Sequence, residues 1–258
     1  MESDRMAAYY NEIDPFAAQW LRNLIKAGLI PDGEVDTRSI EDVEPADLRQ
    51  FRQCHFFAGI GGWAYAARLA GWPDDRELWT GSLPCQPYST AGLGLGHADP
   101  RDLWHHQFRL IRACSPAVWM GEQVAAAIGK GWLDRLCDDM EEIGYACGAV
   151  VVQACAVGAP HQRDRLWAIA DRDGAGGQGL EPSQRPSQAR QRHWRGEEDL
   201  RQVYAAPFGS ADWPKPLVCR MDDGLPAGMD RFRTIKGFGN AIDPRVGAEI
   251  IAAYLEAA

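Results

Sequence analysis

The chain has 258 residues, enough for one large core and a small appendage. Its 46% hydrophobic and 24% charged residues are those of an ordinary globular protein, and no apolar run nears the ~18 residues that cross a bilayer. A net charge of −9 argues against a protein that coats nucleic acid non-specifically, yet residues 185–195 (RPSQARQRHWR) hold four arginines and no acid. That cluster reads equally as a basic contact face or a solvated loop. Seven cysteines with no CxxC pair predict reduced thiols, with neither a disulfide framework nor a metal site. The start, Met1-Glu2-Ser3-Asp4, lacks the basic and apolar parts of a signal peptide, so a cytoplasmic protein with no membrane association is expected.

In chain order, residues 6–13 read as a strand that leads through Tyr9-Tyr10 to Glu12 and Ile13. Pro15 opens a helix at its favoured first-turn position, and Phe16, Ala17, Trp20, Leu21, Leu24 and Ile25 share one face before Gly28 ends it. After the turn Pro31-Asp32-Gly33, Glu34-Val35 forms a second short strand. Residues 54–63 (CHFFAGIGGW) are an apolar strand that runs into a glycine-rich turn, with a helix over 63–70. Gly59, Gly61 and Gly62 allow close backbone approach, and the helix start offers free N–H groups. That is the shape of a nucleotide-type cofactor loop, and also of a common packing turn.

Leu78-Trp79-Thr80 then leads to Leu83-Pro84-Cys85-Gln86-Pro87-Tyr88-Ser89. Two prolines fix the backbone around one thiol and aim it in a single direction, as a nucleophile requires; a buried, inert cysteine is the alternative. The glycine-rich run over 90–98 reads as a lid or a solvent loop. Asp102 is placed to cap a helix over 103–114, and a buried strand over 116–120 delivers Gly121-Glu122-Gln123-Val124 at its end. An amphipathic helix over 132–143, a β-rich run over 147–155, a turn at His161-Gln162-Arg163-Asp164-Arg165 and a strand over 166–170 follow. This alternation predicts a parallel α/β sheet with helices on both faces. Beyond 171 the composition turns polar. Residues 1–171 are therefore expected to form one α/β domain, 172–232 a small irregular region, and 233–258 a segment that returns to the first domain through a helix over 244–257.

FAGIGG (57–62), PCQPYS (84–89), Asp99-Pro100-Arg101 before a helix, Glu122-Gln123-Val124, His161 to Arg165 and Gly239-Asn240-Ala241-Ile242 resemble, in this order, the motifs of the DNA (cytosine-5)-methyltransferase family. In that family a much longer stretch separates the cofactor loop from the cysteine and carries the carboxylates for the cofactor's ribose and adenine. Here only residues 63–83 intervene. Asn11-Glu12-Ile13-Asp14-Pro15-Phe16-Ala17-Ala18 resembles the ribose-binding unit, and Val35-Asp36-Thr37-Arg38-Ser39-Ile40 the adenine-side unit. Both are read as moved ahead of the cofactor loop, which a parallel sheet tolerates if the connection is rerouted.

The resemblance implies a Rossmann-like S-adenosylmethionine-dependent methyltransferase sheet of permuted strand order, with a small irregular target-recognition module. It implies methyl transfer to carbon 5 of a flipped-out cytosine in double-stranded DNA through a covalent Cys85 adduct, assisted by Glu122, Arg163 and Arg165. The cofactor residues implied are Phe57, Ala58, Gly59, Ile60, Gly61, Gly62 and Trp63 of the loop, together with Glu12, Ile13, Asp36, Thr37, Pro84, Asn240 and Ala241. Gln86, Ser89, Arg185, Arg190, Arg192 and Arg195 are the implied DNA contacts. A monomer of phage or prophage type, with a cognate restriction enzyme, fits such compact chains. His55 stands where the family has an acid, Gln123 where it has Asn, and His161 where it has Gln. Two other readings stay open: methylation of RNA cytosine by the same machinery, and a non-catalytic DNA-binding relative.

Overall fold

The computed structural model describes residues 6–84, 102–157, 163–172 and 241–257. Its strands are β1 (Met6–Asn11), β2 (Gly33–Asp36), β3 (Phe51–Phe56), β4 (Leu78–Gly81), β5 (Val118–Val124), β6 (Ala146–Gln153) and β7 (Asp164–Asp171). They form one sheet in the order β2-β1-β3-β4-β5-β7-β6. The first two strand units thus build the wing outside β3, the strand that feeds the glycine loop. Strand β1 lies between β2 and β3 and is parallel to both.

The sheet is mixed, which corrects the expected all-parallel arrangement. Strands β1 to β5 run parallel, but β7 is antiparallel to both β5 and β6. Only residues 154–163 lie between β6 and β7, fewer than the dozen or more that a parallel crossover needs, so a parallel pairing has no route. The pairing of β7 begins at Asp164, so Arg165 belongs to a strand and not to the preceding turn. Glu122 is likewise inside β5, not beyond it.

The helices are α1 (Pro15–Lys26), α2 (Pro45–Leu48), α3 (Gly62–Leu69), α4 (Trp104–Cys114), α5 (Trp132–Glu142) and α6 (Pro244–Ala257). Asp14 caps α1 by accepting from the N–H groups of Phe16 (2.8 Å) and Ala17 (3.2 Å), with Pro15 at the first position as expected. Strand alternation divides the core into two faces. Trp79 and Trp119 pack with Trp104 of α4 and Trp132 of α5, while Leu78, Met120 and Trp167 pack with Trp63 of α3 and Ile251 of α6. Leu21 of α1 covers Ala8 and Tyr10 on the same side as α3. Both faces of the sheet are therefore covered, which is why its central strands are apolar on successive residues.

His55 lies inside this core. Its ring is held between Thr80 Oγ1 (2.9 Å) and Gln53 Oε1 (3.3 Å) and stacks on Tyr10 at 5.3 Å. Burial alone drives its pKa down to about 3, so it is a neutral packing residue. Among the described residues the five cysteines 54, 114, 137, 147 and 155 are free thiols.

Candidate active site

The carboxyl ends of β1, β2 and β3 meet in a row that Glu12 ties together. Its Oε2 accepts from Gly59 N–H at 2.7 Å and its Oε1 from Asp14 N–H at 2.8 Å, so one carboxylate joins the exit of β1 to the loop after β3. Backbone bonds from Ala58 to Asn11 and from Glu12 to Asp36, each 3.0 Å, carry the ladder past the strand ends. The loop itself is tightly wound. Phe57 has φ +52°, a left-handed conformation that costs a non-glycine residue on the order of 1 kcal/mol, and Gly59 and Gly61 follow at +55° and +85°.

Asp36, expected at the adenine, is already engaged by the protein. Its Oδ2 accepts from Tyr9 O–H (2.7 Å) and pairs with Arg38 (2.7 Å), while its Oδ1 accepts from Arg38 N–H (2.9 Å). Burial would raise this carboxyl, but Arg38 and Tyr9 outweigh it and hold the pKa below the usual value. Arg38 also bridges to Asp47 at 2.8 Å. Thr37 and Ile13 are exposed on the same rim. Trp63 turns inward instead: it is buried, meets Trp167 edge-on, and donates from Nε1 to Ser82 Oγ at 3.0 Å.

A cavity of about 740 Å³ opens beside this row, with Trp20, Ile60, Gly61, Gly62, Arg163 and Ala241 in its wall. It takes in the glycine loop and the residue before α6, but Glu12, Phe57 and Asp36 do not line it. Glycine is required here. A Cβ on Gly62 would stand 2.7 Å from Ile242 Cγ1, and Gly61 combines its positive φ with Leu24 Cδ1 at 3.0 Å. Arg163 spans to the far wall, donating from Nη2 to the Ala241 carbonyl at 2.5 Å.

On the other side of the sheet's midline, β5 and β7 bring Glu122 and Arg165 together. Arg165 lies opposite Val124, so Glu122 is its diagonal neighbour, and Nε meets Oε1 at 2.7 Å. Burial pushes the Glu122 carboxyl above its ordinary pKa, while Arg165 first and Arg163 second pull it back. The outcome is a desolvated acid beside a fixed cation. Next to it, the buried Gln123 accepts from Val124 N–H at 2.9 Å and extends its amide N–H to the Leu83 carbonyl at 3.4 Å. It thereby holds the exit of β4, one residue before Pro84. The roles of Gln123, Ser82 and Arg38 escaped the sequence reading, although the Asp-x-Arg spacing of 36–38 was a signal for the last.

Cys85, Gln86, Ser89, Arg185, Arg190, Arg192, Arg195 and Asn240 lie outside the described residues, as does the expected module to 232. Among the described residues no cluster of His, Cys, Asp or Glu is grouped to hold a metal, and no helix is long and apolar enough to cross a membrane.

A model of the C-5 cytosine-specific DNA methylase family matches residues 71–203, half of the chain. Type II methyltransferase M.HgiCII of Herpetosiphon aurantiacus is 27% identical over 163 residues, which cover 47% of this chain and 37% of that one. Type II methyltransferase M.AquIA of Picosynechococcus sp. is 32% identical over 133 residues, covering 46% of this chain and 53% of its own. The chain thus spans about a third to a half of the length of these relatives. Among solved structures, the methyltransferase EhMeth of Entamoeba histolytica aligns with a TM-score of 0.48 at 15% identity, covering 67% of this chain and 47% of that one.

Proposed function

Because the chain belongs to the C-5 cytosine-specific DNA methylase family, we propose that it transfers a methyl group to carbon 5 of cytosine in DNA through a covalent adduct on Cys85. The observation that carries this reading is the Glu122–Arg165 pair, a buried acid held 2.7 Å from a guanidinium on a neighbouring strand. The residues also fit S-adenosylmethionine. The glycine loop at the start of α3 and the cavity at Ile60–Gly62 suit a nucleoside-sized ligand of this kind. When bound, S-adenosylmethionine supplies an electrophilic methyl group. Ile60, Gly61, Gly62 and Ala241 would hold it, with Glu12 fixing the loop from behind.

The Cys85 thiolate adds to carbon 6 of an extruded cytosine, forming an S–C6 bond. The Glu122 carboxyl gives its proton to ring nitrogen 3 as electron density moves toward carbon 5, which then takes the methyl group. As carbon 5 takes the methyl group, that group's bond to the donor's sulfonium sulfur breaks. A solvent water then accepts the carbon 5 proton, the electrons of that C–H bond restore the C5–C6 double bond and expel the Cys85 thiolate, and nitrogen 3 returns its proton to Glu122. Arg165 holds the Glu122 carboxyl and the base's carbonyl oxygen. A pKa raised by burial supports Glu122 as a donor at neutral pH. The Type II names of the relatives support a place beside a restriction enzyme.

The test is bisulfite sequencing of DNA from cells that express the chain, with Cys85→Ser as control and tRNA assayed in parallel. Methylated cytosine in a fixed DNA context, absent in the control, is expected. Methylation confined to tRNA, or none under either condition, would overturn the assignment.

A further inference from the structure

The family resemblance places Arg165 at the target base with Arg163 in support, but the structure gives these guanidiniums different contacts. Arg165 meets Glu122. Arg163, two residues earlier, donates to the carbonyl of Ala241 at 2.5 Å, across 78 positions of sequence. Ala241 and Arg163 line the same cavity as Ile60, Gly61 and Gly62. On the opposite side of that segment, Ile242 fits so closely over Gly62 that an added Cβ would overlap it at 2.7 Å. The short segment before α6 is therefore held between the glycine loop and a guanidinium.

We propose that Arg163 is a positioning residue for the methyl donor: it fixes the Ala241 segment against the glycine loop and so completes the S-adenosylmethionine pocket. This rests on the methyltransferase reading above. A charge-assisted bond to a carbonyl is the strong kind, and its loss removes the tie from Arg163 to the Ala241 carbonyl while Ile242 keeps its place in the core. The cost falls on pocket assembly, hence on affinity for the cofactor and not on the grip on DNA. Arg163→Ala leaves the 2.7 Å Arg165–Glu122 contact in place and removes only the weaker pull of Arg163 on that carboxyl.

The experiment measures S-adenosylmethionine binding by calorimetry and binding of mixed-sequence duplex DNA by fluorescence anisotropy, for the full chain and for Arg163→Ala and Arg163→Lys. Arg163→Ala is expected to raise the Kd for S-adenosylmethionine on the order of 10-fold or more and to leave the Kd for DNA and its salt dependence unchanged. Arg163→Lys, which keeps one donor and the charge, should recover part of the loss. If the alanine variant fails to fold, the lysine variant decides, with a smaller rise expected. Unchanged cofactor affinity in a folded variant, or weaker DNA binding with a shallower salt slope, returns Arg163 to the nucleic-acid side and overturns the proposal. An unsubstituted chain that binds no S-adenosylmethionine at all sinks the methyltransferase reading itself, a result distinct from an unaffected variant.

Discussion

The two wings of the sheet use carboxylates in opposite ways. On the β1–β3 side, Glu12 accepts from two backbone N–H groups and Asp36 from Tyr9 and Arg38, so their charges are satisfied by the protein and serve to lock strand exits together. On the β5–β7 side, Glu122 is desolvated first and paired second, and its pKa moves up where that of Asp36 moves down. The same functional group is scaffold in one wing and, in the proposed mechanism, a proton donor in the other. What differs is the balance between burial and donors, not the residue type.

Glu122→Gln tests that contrast most severely. It keeps the shape and removes the proton, and methyl transfer from labelled cofactor should fall on the order of 10²- to 10⁴-fold with little change in the thermal midpoint. A variant as active as the parent would make Glu122 scaffold as well. Arg165→Ala leaves the acid buried without its cation and should cost about 3 kcal/mol in urea unfolding at pH 7. That loss should shrink on acidification, because the folded state, with its raised carboxyl pKa, takes up the proton before the unfolded chain does. A loss that is the same at every pH would contradict this.

His55 gives the opposite sign. Its folded pKa of about 3 lies below the unfolded 6.5, so stability is present above 6.5 and drains away as pH falls toward 3, by up to a few kcal/mol at about 1.4 kcal/mol per unit. Unfolding curves across that window should be flatter for His55→Gln than for the parent. Smallest is Glu12→Gln, which retains one acceptor oxygen and should cost about 1 kcal/mol in the same unfolding assay. A loss several times larger would show that its charge, and not only its geometry, sustains the wing.

Much of this was legible before any coordinates. Seven apolar or alternating runs marked the seven strands, and Asp14-Pro15 marked the start of α1, because burial and capping leave periodic traces in sequence. The displaced strand units were visible through Glu12 and Asp36, and β1 and β2 do occupy the wing beside β3. Strand direction left no such trace. The residues of β7 are buried on both faces whichever way it runs, and only the shortness of the link from β6 could have revealed its reversal. At the site, the pairing of Asp36 with Arg38 and the different contact partners of Arg163 and Arg165 were hidden. Both depend on where side chains reach across elements, which spacing along one segment does not encode. His55, read as a departure from an acidic position, is a neutral member of the core.

The position of β1 has a consequence for how the chain is made. It hydrogen-bonds on both sides, yet both neighbours follow it in the chain, so on a ribosome it must wait for each of them. A nascent chain released as far as β2 has one lateral partner and one open flank, which stays available to wrong strands until Phe51–Phe56 emerges and closes it. This strand order thus leaves an early wing whose completion is timed by the strand of the glycine loop.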